Sequence, residues 1–403
     1  MPRSILLLIF LLVVYIFSLG ADPILGDSLG FTVTAAKGFD PGSNATNHFL
    51  YMNTLAVLHK VLPFLNPHYL FAGFSIVCSI LTLFFLRKLL LLFGLAKITA
   101  DTAMVFFGLS FTFWRISVFT EVYSFYLLFV ALFLYQAFLF IKERRTLNFY
   151  FSAVLFGVLF LIHIQTILLV PFYLLFLYEN HRNEKTMILK GLLLPAIVFS
   201  ILVIPVVQGR QSFMSIFTDN AWGSSFFEFH FTTFLKSLGR NLIFLLYNFL
   251  FFLWFFFKGF KRFPYKRYFV VAVLPYLFFI LKHDVSDSYV FHLVPYLFML
   301  TIIAHGLEKA EFPLKYLSPL MVPIIYLVTV QTVNHSSFGT EMNAEKGFKG
   351  GVRYYFFPAL DGNPPIETFT EAYENGTLKD PETYESQYLM AKEWEVIKKG
   401  FER

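Results

Sequence analysis

Two carboxylates stand where a chain poor in acid could still do proton chemistry. Asp27 lies in Leu25-Gly26-Asp27-Ser28-Leu29-Gly30-Phe31, and flanking glycines permit a tight turn that brings backbone close to a ligand. Glu121 lies in Phe119-Thr120-Glu121-Val122-Tyr123-Ser124, six residues after Arg115. A carboxylate within reach of a hydroxyl takes its proton as the oxygen attacks, which is general-base chemistry. Plainer roles fit the same residues. Asp27 suits the start of a helix, and Glu121 and Arg115 suit a mutual ion pair. His163 and Gln165, in Leu161-Ile162-His163-Ile164-Gln165-Thr166, suit either a phosphate contact or a neutral imidazole hydrogen-bonded inside a helix bundle. Asp287 shares the turn Lys282 to Ser288 with His283 and Asp284, which could equally be a solvated loop. Trp222, in Asp219-Asn220-Ala221-Trp222-Gly223, also fits an interfacial anchor. No metal-ligand spacing, nucleotide-binding glycine loop or Ser-His-Asp order is present, so neither a metal nor a cofactor is expected. The single Cys78 excludes an intrachain disulfide.

The elements that must position these residues are set by lipid. Of 403 residues, 57% are apolar, 20% aromatic and 14% charged, against roughly 25% charged in an ordinary soluble domain. Runs such as Phe249 to Phe257 (FLFFLWFFF) on a soluble surface would form a large aggregating patch. A hydrocarbon core needs roughly 17 to 25 helical residues to cross it. The expected fold class is therefore an all-α integral membrane protein of about eleven spans, near 4–20, 69–86, 99–114, 122–141, 148–163, 165–178, 191–207, 240–257, 268–281, 289–305 and 316–331. The first is read as an anchor in place of a cleaved signal peptide, and the long run around His163 is divided there. The domain division expected is a membrane domain over 1–331 and a short soluble tail over 332–403. By eye no internal repeat is present, which argues against a transporter built from two related halves.

Charge gives the orientation. With the amino terminus inside, the connections on its side carry 17 Lys and Arg, from Arg3 to Lys315, against seven opposite, the tail excluded. Cytoplasmic loops are expected to be basic, so the net charge of +6 records topology and calls for no nucleic acid. The first loop (21–68), the loop 208–239 and the tail then lie outside. So do eight carboxylates: Asp22, Asp27, Asp40, Glu121, Asp219, Glu228, Asp284 and Asp287. The expected setting is a bacterial plasma membrane, or the endoplasmic reticulum in a eukaryote, with the site facing outward.

In their order along the chain these motifs resemble the GT-C glycosyltransferases that include the transmembrane O-mannosyltransferase of plexin-type receptors and its bacterial relatives. The resemblance rests on Gly26-Asp27-Ser28 with Phe31; on Phe113-Trp114 through Thr120-Glu121-Val122-Tyr123-Ser124; on Gly157 with His163 ahead of Pro171; on Asn220-Ala221-Trp222-Gly223; and on Asp287-Ser288-Tyr289 with Pro295 and Gly306. It covers about residues 1 to 310. Where such relatives read Asp-Ser-Gly-Glu-Phe this chain has Asp27-Ser28-Leu29-Gly30-Phe31, so the second acid is missing. The resemblance implies inverting transfer of a sugar, mannose among the candidates, from a polyprenyl-phosphate donor to a protein or glycan acceptor outside. Asp27 would be the base. Glu121, Arg115, His163, Tyr123, Trp222 and Asp287 would contact substrate, with Arg210 or Lys282 as further cations. The competing expectations are a lipid or sugar flippase and an inactive scaffold.

Overall fold

The computed structural model describes residues 3–40, 48–181, 185–210, 212–213, 230–282, 288–311, 313–359 and 363–402. Among these no strand occurs. Trp222 and Asp287, with Asp219, Glu228 and Asp284, lie outside the described residues. In lipid every backbone amide must be satisfied within its own segment, which leaves helices as the elements open to so apolar a chain.

After α1 (Arg3–Ile16) the first loop folds into α2 (Asp27–Lys37) and α3 (Phe49–Val61). The bundle continues through α4 (Pro67–Leu92), α5 (Lys97–Gly108), α6 (Phe111–Ser117), α7 (Val122–Glu143), α8 (Thr146–Ile162) and α9 (Val170–Asn180). There follow α10 (Lys185–Phe199), α11 (Ile204–Val207), α12 (Phe231–Phe249), α13 (Leu253–Phe260), α14 (Lys266–Lys282), α15 (Leu293–Glu308) and α16 (Met321–Asn334). Each expected span falls on one of these helices or on a consecutive pair. Length and composition alone select five among the described residues: Pro67–Leu92, Val122–Glu143, Lys185–Val207, Phe231–Phe260 and Tyr289–Glu308. Arg3–Ile16, Thr146–Ile162, Ile164–Asn180 and Ser318–Asn334 are apolar but shorter.

The chain does break at His163. This residue is extended (φ −156°, ψ 130°), its Nδ1 accepts from the Gln165 amide at 3.0 Å, and a 3-10 turn over Ile164–Leu169 leads into α9. Phe156 stacks on Tyr173 at 4.0 Å and Phe149 on Phe176 at 6.0 Å. Those pairings run in opposite chain directions, so α8 and α9 form an antiparallel hairpin.

Close helix approach depends on glycine where α13 meets α15. A Cβ on Gly306 would stand 1.9 Å from the Phe255 carbonyl oxygen, and one on Gly259 1.9 Å from that of Ile302. Without a hydrophobic drive between helices in lipid, such small-residue contacts supply much of the association. Gly306→Val is expected to destabilise the protein by about 1 to 3 kcal/mol or more, the usual cost of overpacking. A thermal melt of purified protein in detergent checks this, and an unchanged midpoint would refute it.

The remaining helices are α17 (Ser337–Lys346), α18 (Gly351–Phe356), α19 (Ile366–Glu374) and α20 (Glu385–Phe401). They build a second, smaller core with the first loop, in which Leu29 and Val33 of α2 meet Ile366, Phe369, Ala391 and Trp394. Asp22 fastens it. Its carboxylate accepts from Trp394 Nε1 at 2.9 Å, from Lys398 Nζ at 3.0 Å and from the Ile366 amide at 3.3 Å, and Lys37 pairs with Glu393 at 2.8 Å. The tail is thus clamped on the helix that begins with Asp27.

Candidate active site

Asp27 occupies the first turn of α2, after Gly26, whose φ of +102° lies in the region that favours glycine. Gly26, as N-cap, has no side chain to cap that terminus, and the helix dipole there favours a negative group. Glu121 is the N-cap of α7, its Oε1 accepting from the Val122 amide at 3.0 Å. Segments far apart in sequence therefore each aim a carboxylate from a helix start. The two differ in access. Asp27 is exposed, whereas Glu121 is only 6% exposed.

Both line one cavity of about 250 Å³ together with Ser28, Tyr123, Tyr289 and Lys349. Tyr354 and Gln387 complete its wall from the tail. The described wall draws on the first loop, the α6–α7 turn, the segment before α15 and the tail. All are segments that the Lys and Arg distribution assigns to one side. Nearby, Tyr51 of α3 has its phenol pushed well above its ordinary range, by burial first and then by the Glu121 carboxylate.

Of the residues singled out from sequence, Asp27, Glu121 and Tyr123 reach this cavity. His163 does not line it but lies against Tyr123, ring centroids 5.2 Å apart, and against His48 at 4.7 Å. His48 holds the Ile162 carbonyl through Nδ1 at 3.2 Å, and burial pushes its imidazole down to about 4. Arg115 also stands behind the wall. Its Nη1 donates to the Tyr354 carbonyl, its guanidinium lies 4.2 Å from the Tyr354 ring centre, and it is 2% exposed. Among the described residues no carboxylate pairs with it, so the expected pairing with Glu121 is absent. Arg115 instead pins the tail: beside it Trp114 packs on Phe357 at 5.7 Å, and the Tyr247 hydroxyl donates to the Phe356 carbonyl at 2.5 Å.

Sequence reading passed over Lys349 and Gln387. The pair Gly350-Gly351 was a visible turn signal beside Lys349, but nothing local tied that turn to residue 27. The missing second acid also gains a physical context. A Cβ at Gly30 would lie in ordinary van der Waals contact, 3.6 Å from Met390 Sδ of α20, so residue 30 faces the docked tail. Among the described residues no group of three or more His, Cys, Asp or Glu has the arrangement of a metal site.

Compared with solved structures, the chain is similar to ArnT from Cupriavidus metallidurans in the apo state, with TM-score 0.58 and 14% identity over 98% of this chain and 75% of that one. ArnT bound to undecaprenyl phosphate matches at TM-score 0.58 and 13% identity, over 98% and 76%. The Archaeoglobus fulgidus oligosaccharyltransferase matches at TM-score 0.52 and 13% identity, over 95% of this chain and 57% of that one. No family model and no curated protein matches the chain. The likeness is one of fold: an apolar, multi-helix bundle like that of these neighbours, which are GT-C glycosyltransferases. Within that class, the particular likeness to ArnT extends across almost all of this chain.

Proposed function

We propose that this protein transfers a sugar from a polyprenyl-phosphate donor to a hydroxyl of a protein or glycan acceptor on the outer face of the membrane. The observation that carries this is the convergence of Asp27 and Glu121 on one cavity of about 250 Å³ in a GT-C fold. The undecaprenyl phosphate bound by ArnT supports a lipid-borne donor.

Asp27, exposed to the cavity, takes the acceptor proton as the oxygen attacks the anomeric carbon. The bond from that carbon to the phosphate oxygen breaks, and polyprenyl phosphate leaves with the electron pair. A single displacement of this kind inverts the anomeric centre and needs no covalent intermediate. Glu121, buried and held by its own helix start, orients the sugar hydroxyls and keeps its proton-accepting capacity engaged with backbone. Tyr123, Tyr289 and Tyr354 give the wall an aromatic character that suits the apolar face of a pyranose. Arg115 and His163 support this wall from behind.

Purified protein in sealed proteoliposomes, given a radiolabelled sugar on undecaprenyl phosphate, tests the reading. Labelled acceptor and stoichiometric free undecaprenyl phosphate are expected. Label crossing the membrane with its lipid link intact would replace transferase by flippase.

A further inference from the structure

The tail brings charge into the cavity that the membrane helices do not. We infer that Lys349 is the cation that receives the donor's phosphate, so the tail is part of the donor site. This rests on the transferase reading above.

The cavity wall carries the carboxylates of Asp27 and Glu121, and Lys349 is its one cation among the described lining residues. A phosphodiester entering beside two carboxylates meets repulsion that a single well-placed ammonium can offset. Lys349 is suited to this because its ammonium makes no hydrogen bond or ion pair among the described residues. Its neighbours there are the rings of Phe348 at 5.9 Å and Tyr384 at 5.5 Å. Burial, helped by Lys346, pulls its pKa below the usual lysine range, as expected of an ammonium that lacks an anion. An arriving phosphate would supply that anion and the acceptors for its three donors.

Two further polar groups in the same wall also await partners. Ser28 is 2% exposed, and among the described residues neither its Oγ nor Gln387 Oε1 has a hydrogen-bond partner. Both can accept from sugar hydroxyls, as a buried polar atom without a partner is costly. Phosphate and sugar requirements are thus met in one wall, at adjoining positions.

The backbone aims Lys349. It ends a 3-10 turn (Gly347–Lys349), and Gly350 follows at φ +99°. Gly351 has φ +53°, and a Cβ there would stand 2.1 Å from Asn343 Oδ1, the atom that accepts from the Val352 amide at 2.8 Å. Arg115, by contrast, is committed to Tyr354 behind the wall.

The test titrates undecaprenyl phosphate, and separately inorganic phosphate, into the full-length protein in nanodiscs. Wild type is expected to bind the lipid, Lys349→Ala to bind it at least roughly tenfold more weakly, and Lys349→Arg to stay within about threefold, as loss and retention of a charge-assisted contact require. Lys349→Gln, close in size, repeats the comparison should the alanine variant fail to accumulate. Equal binding by wild type and both neutral variants would overturn the role of Lys349 and leave the transferase reading standing. No binding by wild type would overturn both. Displacement of the lipid by an equal concentration of inorganic phosphate would overturn the assignment to a lipid-borne group.

Discussion

Asp27→Asn is expected to lower sugar transfer by about a hundredfold or more at unchanged membrane abundance, the scale on which a lost general base acts. The substitution isolates the proton acceptor. Asparagine keeps the shape, and the turn into α2 is made by Gly26 at φ +102°. The helix is held from its other face by Leu29 and Val33 against the tail. The loss should therefore fall on kcat, with donor binding retained, since Asp27 contributes no positive charge to a phosphate. Near-normal turnover of Asp27→Asn would remove the base assignment. Glu121→Gln forms the contrast. Its amide oxygen still accepts from Val122, so the helix start survives, and the smaller effect should appear mainly in the KM for the sugar donor.

Asp22→Ala is the second large expectation, and it acts at a distance from the chemistry. The Asp22 side chain is 3% exposed and that of Lys398 21%. Removing the carboxylate leaves the Trp394 indole N–H and the Ile366 amide without their acceptor, while Lys398 keeps Glu367 at 3.0 Å as its remaining partner. A buried donor left without an acceptor costs about 1 to 3 kcal/mol. Among the described residues the fully buried part of the tail core is small, with Phe369 and Trp394 its large members and Phe348, Tyr373, Tyr384 and Tyr388 only partly buried on it, so a loss on that scale should loosen the tail while the bundle stays assembled. Protease sensitivity of 363–402 should rise sharply, and transfer should fall because Gln387 leaves the cavity wall and the turn bearing Lys349 loses the helices packed on it, although Arg115 still holds Tyr354. A variant that keeps a protected tail and full activity would show that Asp22 is not the fastening. One that loses tail protection yet retains activity would show that the tail does not complete the site.

Asp22 and Asp27 illustrate how far sequence reading reached. Both were outward carboxylates of the first loop, and from sequence only the glycines and motif order separated them. In the structure one is consumed by three donors from the tail, and the other opens into the cavity. Glu121 was legible as a candidate and does line the cavity, but the partner of Arg115 was not legible. Arg115, six residues away, turns to Tyr354. Nearness in sequence was a poor guide there because α6 ends at Ser117 before α7 begins at Val122, so the two residues sit on separate helices and no helical spacing sets one against the other. His163 was legible as a helix break and stands one ring behind the cavity, against Tyr123.

By itself the sequence determined that this chain is a helical membrane protein with its candidate carboxylates in the connections on one side. Apolar runs of helical length leave the backbone no other way to satisfy its hydrogen bonds in lipid, and scarce charge must then collect outside the hydrocarbon. What only the tertiary structure decided is which of those end residues share a cavity. Helical periodicity tells which face of a segment is apolar, not which distant loop will cover it. The docking of the tail on α2, through Asp22, Trp394 and Lys398, is a long-range event with no local signature, and it is that docking that sets Lys349 and Gln387 opposite Asp27.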